Sequence, residues 1–141
     1  MDDDVEVFGR RLRLRIDGPD AGRRFSAVID DVERGQTLTR APVRGRSAAD
    51  ARDRALEVAH NLVLIERLQD SIVGVARDLA PGGVVELHED ARGISAGLSG
   101  PWELTLPLLI ERDDIYDEDF DLAAAEEKIR VHFVTHLRRS G

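Results

Sequence analysis

From Val5 to Ile16 apolar and polar side chains alternate, most cleanly at the end, where Leu12, Leu14 and Ile16 fall on one face and Arg11, Arg13 and Arg15 on the other. A period of two predicts a half-buried strand. The turn cluster Asp17-Gly18-Pro19-Asp20-Ala21-Gly22 follows, and Phe25, Ala27 and Ile29 resume the alternation up to Asp31, which predicts an antiparallel neighbour. Glu33-Arg34-Gly35 is a second turn. Thr37 to Val43 reads as a third, weaker strand whose Pro42 belongs at an edge or a strand end. The first 45 residues therefore read as a meander.

The period then changes. Ser47 with Asp50 three residues on approximates a capping box. Beyond it Val58, Leu62, Ile65, Ile72, Ala76 and Leu79 share a seam at spacings of three and four, with Leu56, Ala59 and Val63 widening it early. A continuous helix from Ala48 to Ala80 would span about 50 Å at 1.5 Å per residue. A kink between Asp70 and Gly74 is expected, with Asp70 or Ser71 capping a second segment. Pro81-Gly82-Gly83 ends the helix. Val84 to His88, Ile94 to Leu98 and Trp102 to Ile110 then read as strands, the last at an edge or bulged because of Pro107. The closing helix starts at Asp117 or Asp121 and runs to Arg139, with Leu122, Ala125, Ile129, Phe133 and Leu137 on one face. Acids open it and Arg138-Arg139 close it, as the helix dipole favours. The pattern predicts an α+β fold, an antiparallel β-sheet packed against two helices in the order β-β-β-α-β-β-(β)-α. The second half echoes the first in element order, without a residue-level repeat.

Length adds that 141 residues fit one domain, 1–141, with a single expected core. There is no cysteine, so disulfides and thiolate metal sites are excluded and nothing requires an oxidising compartment. Met1-Asp2-Asp3-Asp4 lacks the basic start of a signal peptide, and no long uncharged run suits a membrane span. A cytoplasmic protein that does not enter membranes is the expectation. The net charge of −8 is uneven: residues 1–54 hold 12 arginines against 11 acids, 55–110 hold 3 basic residues against 8 acids, and 111–141 hold 5 against 9. An acidic field favours basic partners over nucleic acid.

Residues 23–65, through Phe25-Ser26-Ala27-Val28, Gly35, Gly45-Arg46-Ser47, Asp50-Ala51 and Ala55-Leu56, resemble in outline the strand-to-helix half of double-stranded-RNA-binding domains. That resemblance implies a capped helix behind a three-stranded meander. In that family the helix opens with lysines that touch phosphates, whereas Ala48 and Ala49 stand here, and a strand replaces the helix before the sheet, so RNA contact does not carry over. The same outline is similar to HicB-type antitoxins, which neutralise a toxin by direct binding. No helix-turn-helix pattern follows at the C-terminus, so operator binding does not carry over either. Any strand, turn and capped helix produces this string, and it assigns no family.

Candidate chemistry is sparse. His132 and His136 are one helical turn apart, but Phe133 stands where a zinc-protease motif has Glu, and neither His60 nor His88 has a spacing that supplies a third ligand. Asp117, Asp119 and Asp121 match the first positions of a calcium loop, yet Leu122 and Lys128 occupy its glycine and final glutamate positions. The glycines lack the Gly-Lys-Ser/Thr and dinucleotide patterns. No catalytic set, cofactor or metal site is legible. The densest charge, Asp113, Asp114, Asp117, Glu118 and Asp119, interleaves with Tyr116 and Phe120 and predicts a docking surface for a basic protein. This favours a non-enzymatic binding module, a small inhibitor, immunity protein, antitoxin or adaptor. One alternative is nucleic-acid binding through Arg11, Arg13, Arg15, Arg23 and Arg24. Another is a ligand-binding or catalytic domain with a pocket between sheet and helices. The helix seam from Val58 to Leu79 exceeds what one small sheet covers, which predicts a homodimer through it.

Overall fold

The computed structural model describes residues 2–141. It bears out the α+β fold with antiparallel sheets, and its elements divide into two compact units, 1–63 and 64–141.

Unit 1 contains β1 (Asp2–Val7), β2 (Arg10–Asp17), β3 (Phe25–Asp31), β4 (Gln36–Thr37), β5 (Val43–Gly45) and the first half of α1 (Ala48–Leu79). The strand expected from Val5 to Ile16 is thus two strands, with Val7 paired to Arg10 across the turn Phe8-Gly9. Both turn residues have positive φ, 48° and 80°, the conformation that matches the twist of a two-residue hairpin. The sequence does carry the break. Its apolar positions are odd at Val5 and Val7 and even at Leu12, Leu14 and Ile16, and a tight turn is what exchanges the parity of a face.

The third strand is also divided. β4 and β5 both pair with β3, and between them the ladder continues by other means. The Leu38 N–H donates to the Ile29 carbonyl at 2.8 Å, and the Ile29 N–H donates to the Thr39 hydroxyl at 3.2 Å. Pro42, which has no N–H to give, falls in this gap. The core of the unit joins Leu12, Leu14, Ala27 and Ile29 of the sheet to Ala51, Ala55, Ala59 and Val63 of α1, all fully buried. Three alanines in four helix positions allow close approach. At the entry to α1 even a methyl is too large: a Cβ on Gly45 would lie 2.3 Å from the Ala51 nitrogen. Ser47 caps the helix by accepting the Asp50 N–H at 3.0 Å, while the Asp50 carboxylate accepts the Arg46 N–H at 2.8 Å. The reciprocal pattern is that of a capping box displaced by one residue.

Unit 2 contains the second half of α1, β6 (Val84–Asp90), β7 (Gly93–Ser99), β8 (Trp102–Leu104), β9 (Leu108–Glu111), α2 (Arg112–Ile115), α3 (Leu122–His136) and β10 (Leu137–Arg139). β6, β7 and β9 form one antiparallel sheet in that order, and β8 pairs with β10 in another. Its core gathers Leu64, Leu68 and Ile72 of α1 with Ile94, Ile129 and Phe133. The strand expected over Trp102 to Ile110 breaks around Pro107 into β8 and β9, which join different sheets. The closing helix stops at His136, not Arg139, because Leu137, Arg138 and Arg139 extend to pair with Leu104, Glu103 and Trp102. At its start Asp121 is the cap, accepting the Ala124 N–H at 3.2 Å. The one-turn helix α2 has no counterpart in the sequence reading.

α1 is helical over all 32 residues, so the separate second segment expected to be capped by Asp70 or Ser71 does not form. Ser71 caps nothing; its hydroxyl lies 3.5 Å from the Glu126 carboxylate on α3. Ile72 and Ala76, on either side of Gly74, are buried, and burying such groups outweighs the roughly 1 kcal/mol that glycine costs a helix. No helix among the described residues is long and apolar enough to cross a membrane.

Gly74 is exposed, and open space surrounds the position of an added Cβ. Gly74→Ala is therefore expected to raise unfolding stability by about 1 kcal/mol, read as a higher urea midpoint at unchanged slope. Gly45→Ala, driven into the backbone of α1, is expected to lower it in the same experiment.

Candidate protein-binding cleft

All of the net charge resides in one unit. Residues 1–63 hold 12 basic and 12 acidic side chains, whereas residues 64–141 hold 8 basic and 16 acidic, a net of −8. Much of that acid is placed by α2 and the loop behind it. The Tyr116 N–H donates to the Arg112 carbonyl at 3.0 Å, the Asp117 N–H to Asp114 at 3.3 Å and the Phe120 N–H to Asp117 at 3.1 Å, winding the chain in consecutive turns. The Asp117 carboxylate steadies the loop by accepting the Asp119 N–H at 2.8 Å, the local bond that makes Asp a turn former.

These turns leave an open cleft of about 450 Å³ between the loop, β9 and the start of α3. Its walls include the apolar Leu108, Ile110, Phe120, Ala125 and Ile129, of which Leu108 and Ile129 are buried. Asp114, Asp117, Asp119 and Asp121 line it with exposed carboxylates, and Lys128, the single lysine of the chain, stands among them. Of the seven residues expected to form a docking surface, Asp114, Asp117, Asp119 and Phe120 line this cleft. Asp113 and Tyr116 border neighbouring hollows instead, with the Arg112 guanidinium 5.1 Å from the Tyr116 ring centre, and Glu118 is exposed. The sequence reading did not include Leu108, Ile110, Asp121, Ala125 and Ile129 in the surface. Asp121 was visible as a helix start; the approach of β9 to α3 had no sequence signal.

The arginines of unit 1 have a different environment. Across the β1–β2 ladder Asp2, Asp4 and Glu6 stand opposite Arg15, Arg13 and Arg11. Arg13 binds the Asp4 carboxylate through two nitrogens at 2.7 and 3.3 Å, and Arg15 binds Asp30 of β3 in the same two-pronged way. The Arg13 hydrogen bond holds the Asp4 carboxyl below its usual range, and the Arg15 hydrogen bond, helped by the Thr37 hydroxyl, does the same for Asp30. Arg23 and Arg24, in the β2–β3 turn, are exposed and form no ion pair among the described residues.

Asp31 anchors the inner end of this lattice. It is the one buried charged residue among those described, and it receives the Arg10 guanidinium together with the Glu33 and Arg34 N–H groups, each at 3.1 Å. Burial pushes its carboxyl up, but the Arg10 bond and the two backbone donors outweigh this and hold it below the ordinary value.

His132 and His136 have ring centres 4.6 Å apart, and each is tied to the loop before β9. The His132 Nε2 is 2.8 Å from the Leu106 carbonyl, and the His136 Nδ1 is 3.2 Å from the Thr105 hydroxyl. Among the described residues no three His, Asp or Glu side chains converge as a metal site. Comparison with protein-family models, with curated proteins and with solved structures finds no match.

Asp31→Ala leaves two turn N–H groups without their acceptor and removes the Arg10 counter-charge, so a loss of about 3 kcal/mol is expected in urea unfolding. Because Asp4, Asp30 and Asp31 titrate lower in the folded chain than in the unfolded one, acid protonates the unfolded chain first. Their contribution is fully present above about pH 4 and declines below it, and Asp31→Asn is expected to flatten that decline in an acid titration followed by circular dichroism.

Proposed function

We propose that this protein is a non-enzymatic binding module of the cytoplasm, an inhibitor, immunity protein, antitoxin or adaptor, that engages a basic protein through the cleft beside α3. The observation that carries the reading is the apolar cleft lined by Asp114, Asp117, Asp119 and Asp121, on a unit of net charge −8. Apolar walls accept one aliphatic or aromatic side chain. The carboxylates around them select for arginine or lysine on either side of that anchor and disfavour acidic competitors. This division, a desolvated apolar anchor inside a charged rim, is the usual anatomy of a protein interface. In unit 1 Arg13 and Arg15 are neutralised by carboxylates of their own sheet, which leaves the acidic cleft as the stronger field for steering a partner.

A peptide with one Leu or Phe anchor flanked by arginines tests this by fluorescence anisotropy. Binding is expected to weaken with salt, and the combined Asp114→Asn, Asp117→Asn, Asp119→Asn variant is expected to lose at least about tenfold in affinity, about 1.4 kcal/mol. An anchor-to-Ala peptide should lose a similar amount. Equal binding by the wild type and the triple variant, or none by either, would exclude the cleft as the docking site.

A further inference from the structure

β6 is paired along one side only. All seven of its residues face β7, from Val84 opposite Ser99 to Asp90 opposite Gly93, and no strand among the described residues lies along its other side. Such an edge is a template for another strand. Its apolar side chains are also incompletely covered: Val85 and Leu87 pack on the unit 2 core yet stay half-buried, and Val84 is 57% exposed. We propose that this edge is the interface of a homodimer, in which β6 pairs antiparallel with β6 of a second copy about a two-fold axis through Leu87, joining two three-stranded sheets into one of six.

The register follows from parity and charge. A two-fold axis normal to the sheet keeps every side chain on its own face, so residues set opposite each other must be an even number apart in sequence. Centring on Glu86 sets that carboxylate against its own copy. Centring on His88 sets Glu86 against Asp90, and centring on Val85 sets it against Val84, with no donor opposite the carboxylate. Centring on Leu87 places Glu86 opposite His88 of the second copy, twice by symmetry, brings the two Leu87 side chains together, and sets the outer acids Glu89 and Asp90 against Val85 and Val84, where no two like charges meet. The Glu86 and His88 side chains are exposed and form no hydrogen bond or ion pair among the described residues, so both are available. An imidazole N–H donates to a carboxylate whether or not the ring is charged.

The long edge of unit 1 shows the opposite design. On β1, centring a second copy on Asp3, Asp4 or Val5 sets acid against acid among Asp2, Asp4 and Glu6, which repels self-pairing. Of these two edges, only β6 is complementary to itself. This inference does not depend on the cleft, and it moves the self-association expected at the helix seam to a strand edge.

The test is the mass of the full chain in solution by sedimentation equilibrium. A dimer is expected at roughly 100 μM, and His88→Glu, which sets Glu against Glu twice, should raise the dissociation constant about tenfold or more. His88→Lys should dimerise at least as tightly as the wild type, and the exchange Glu86→His with His88→Glu should restore the dimer that His88→Glu loses. All three changes are at exposed positions, and circular dichroism confirms folding. Leu87→Cys introduces the sole cysteine, and opposed strand residues lie within disulfide reach, so mild oxidation should link two chains. A wild-type monomer at that concentration, a His88→Glu variant that dimerises as the wild type does, or an exchange that restores nothing would overturn the proposal.

Discussion

A side chain on a helix can be buried against one set of neighbours only, and that constraint governs how α1 serves this protein. Ala51, Ala55, Ala59 and Val63 are buried at every fourth residue in unit 1, and the series restarts at Leu64 to continue through Leu68, Ile72 and Ala76 in unit 2. The two runs differ in size as well as position. Small side chains let the first half of α1 approach its sheet closely, to the point where Gly45 has no room for a methyl group. Larger ones in the second half fill the space around Ile129 and Phe133. One amphipathic stripe thus becomes two, and the helix stays intact through Gly74 because the residues around that glycine are held in a core.

Charge is organised on the same division. In unit 1 acids and arginines are equal in number, and the strands bring many of them together, Asp4 directly opposite Arg13 and Asp30 diagonally across from Arg15. Exposed pairs of this kind contribute little energy singly. Their value lies in register, since a slip of one residue between β1 and β2 would set Arg11 opposite Val5 or Val7 and Asp4 opposite Leu12 or Leu14, and turn the apolar face outward. Asp31 is the exception in energy, being buried with Arg10 and closing a turn through two backbone N–H groups. Unit 2 carries the whole net charge, and its acids line a cleft and a strand edge.

Periodicity made most elements legible. The alternation of Leu12, Leu14 and Ile16, the helical spacing from Val58 to Leu79, and the Ser47 and Asp50 pair each reflect a local rule the chain obeys by itself. Errors gathered where two rules met. Val5 to Ile16 reads as one strand because alternation persists, although its parity changes at Phe8-Gly9. A second helical segment capped at Asp70 or Ser71 follows from local propensity alone, and burial of Ile72 and Ala76 overrides it. Leu137 to Arg139 continue a helical pattern, and antiparallel pairing with β8 decides otherwise, because a strand ladder outweighs a last frayed turn. Four of the seven predicted docking residues were brought to one cleft, because a dense acidic loop is visible in sequence; the apolar walls were not, since they come from β9 and α3.

By itself the sequence determined the α+β class, the cap that opens α1, the absence of any cysteine chemistry and the drift of negative charge toward the C-terminal part. Each depends on neighbours a few residues away or on composition alone. Tertiary structure decided which carboxylate meets which arginine, where β8 and β9 separate, and how the acids from Asp114 to Asp121 come to surround apolar side chains. Among the described residues it also left one side of β6 unpaired. Those outcomes depend on which distant segments pack together, and a free energy of packing summed over many contacts can override any single local preference.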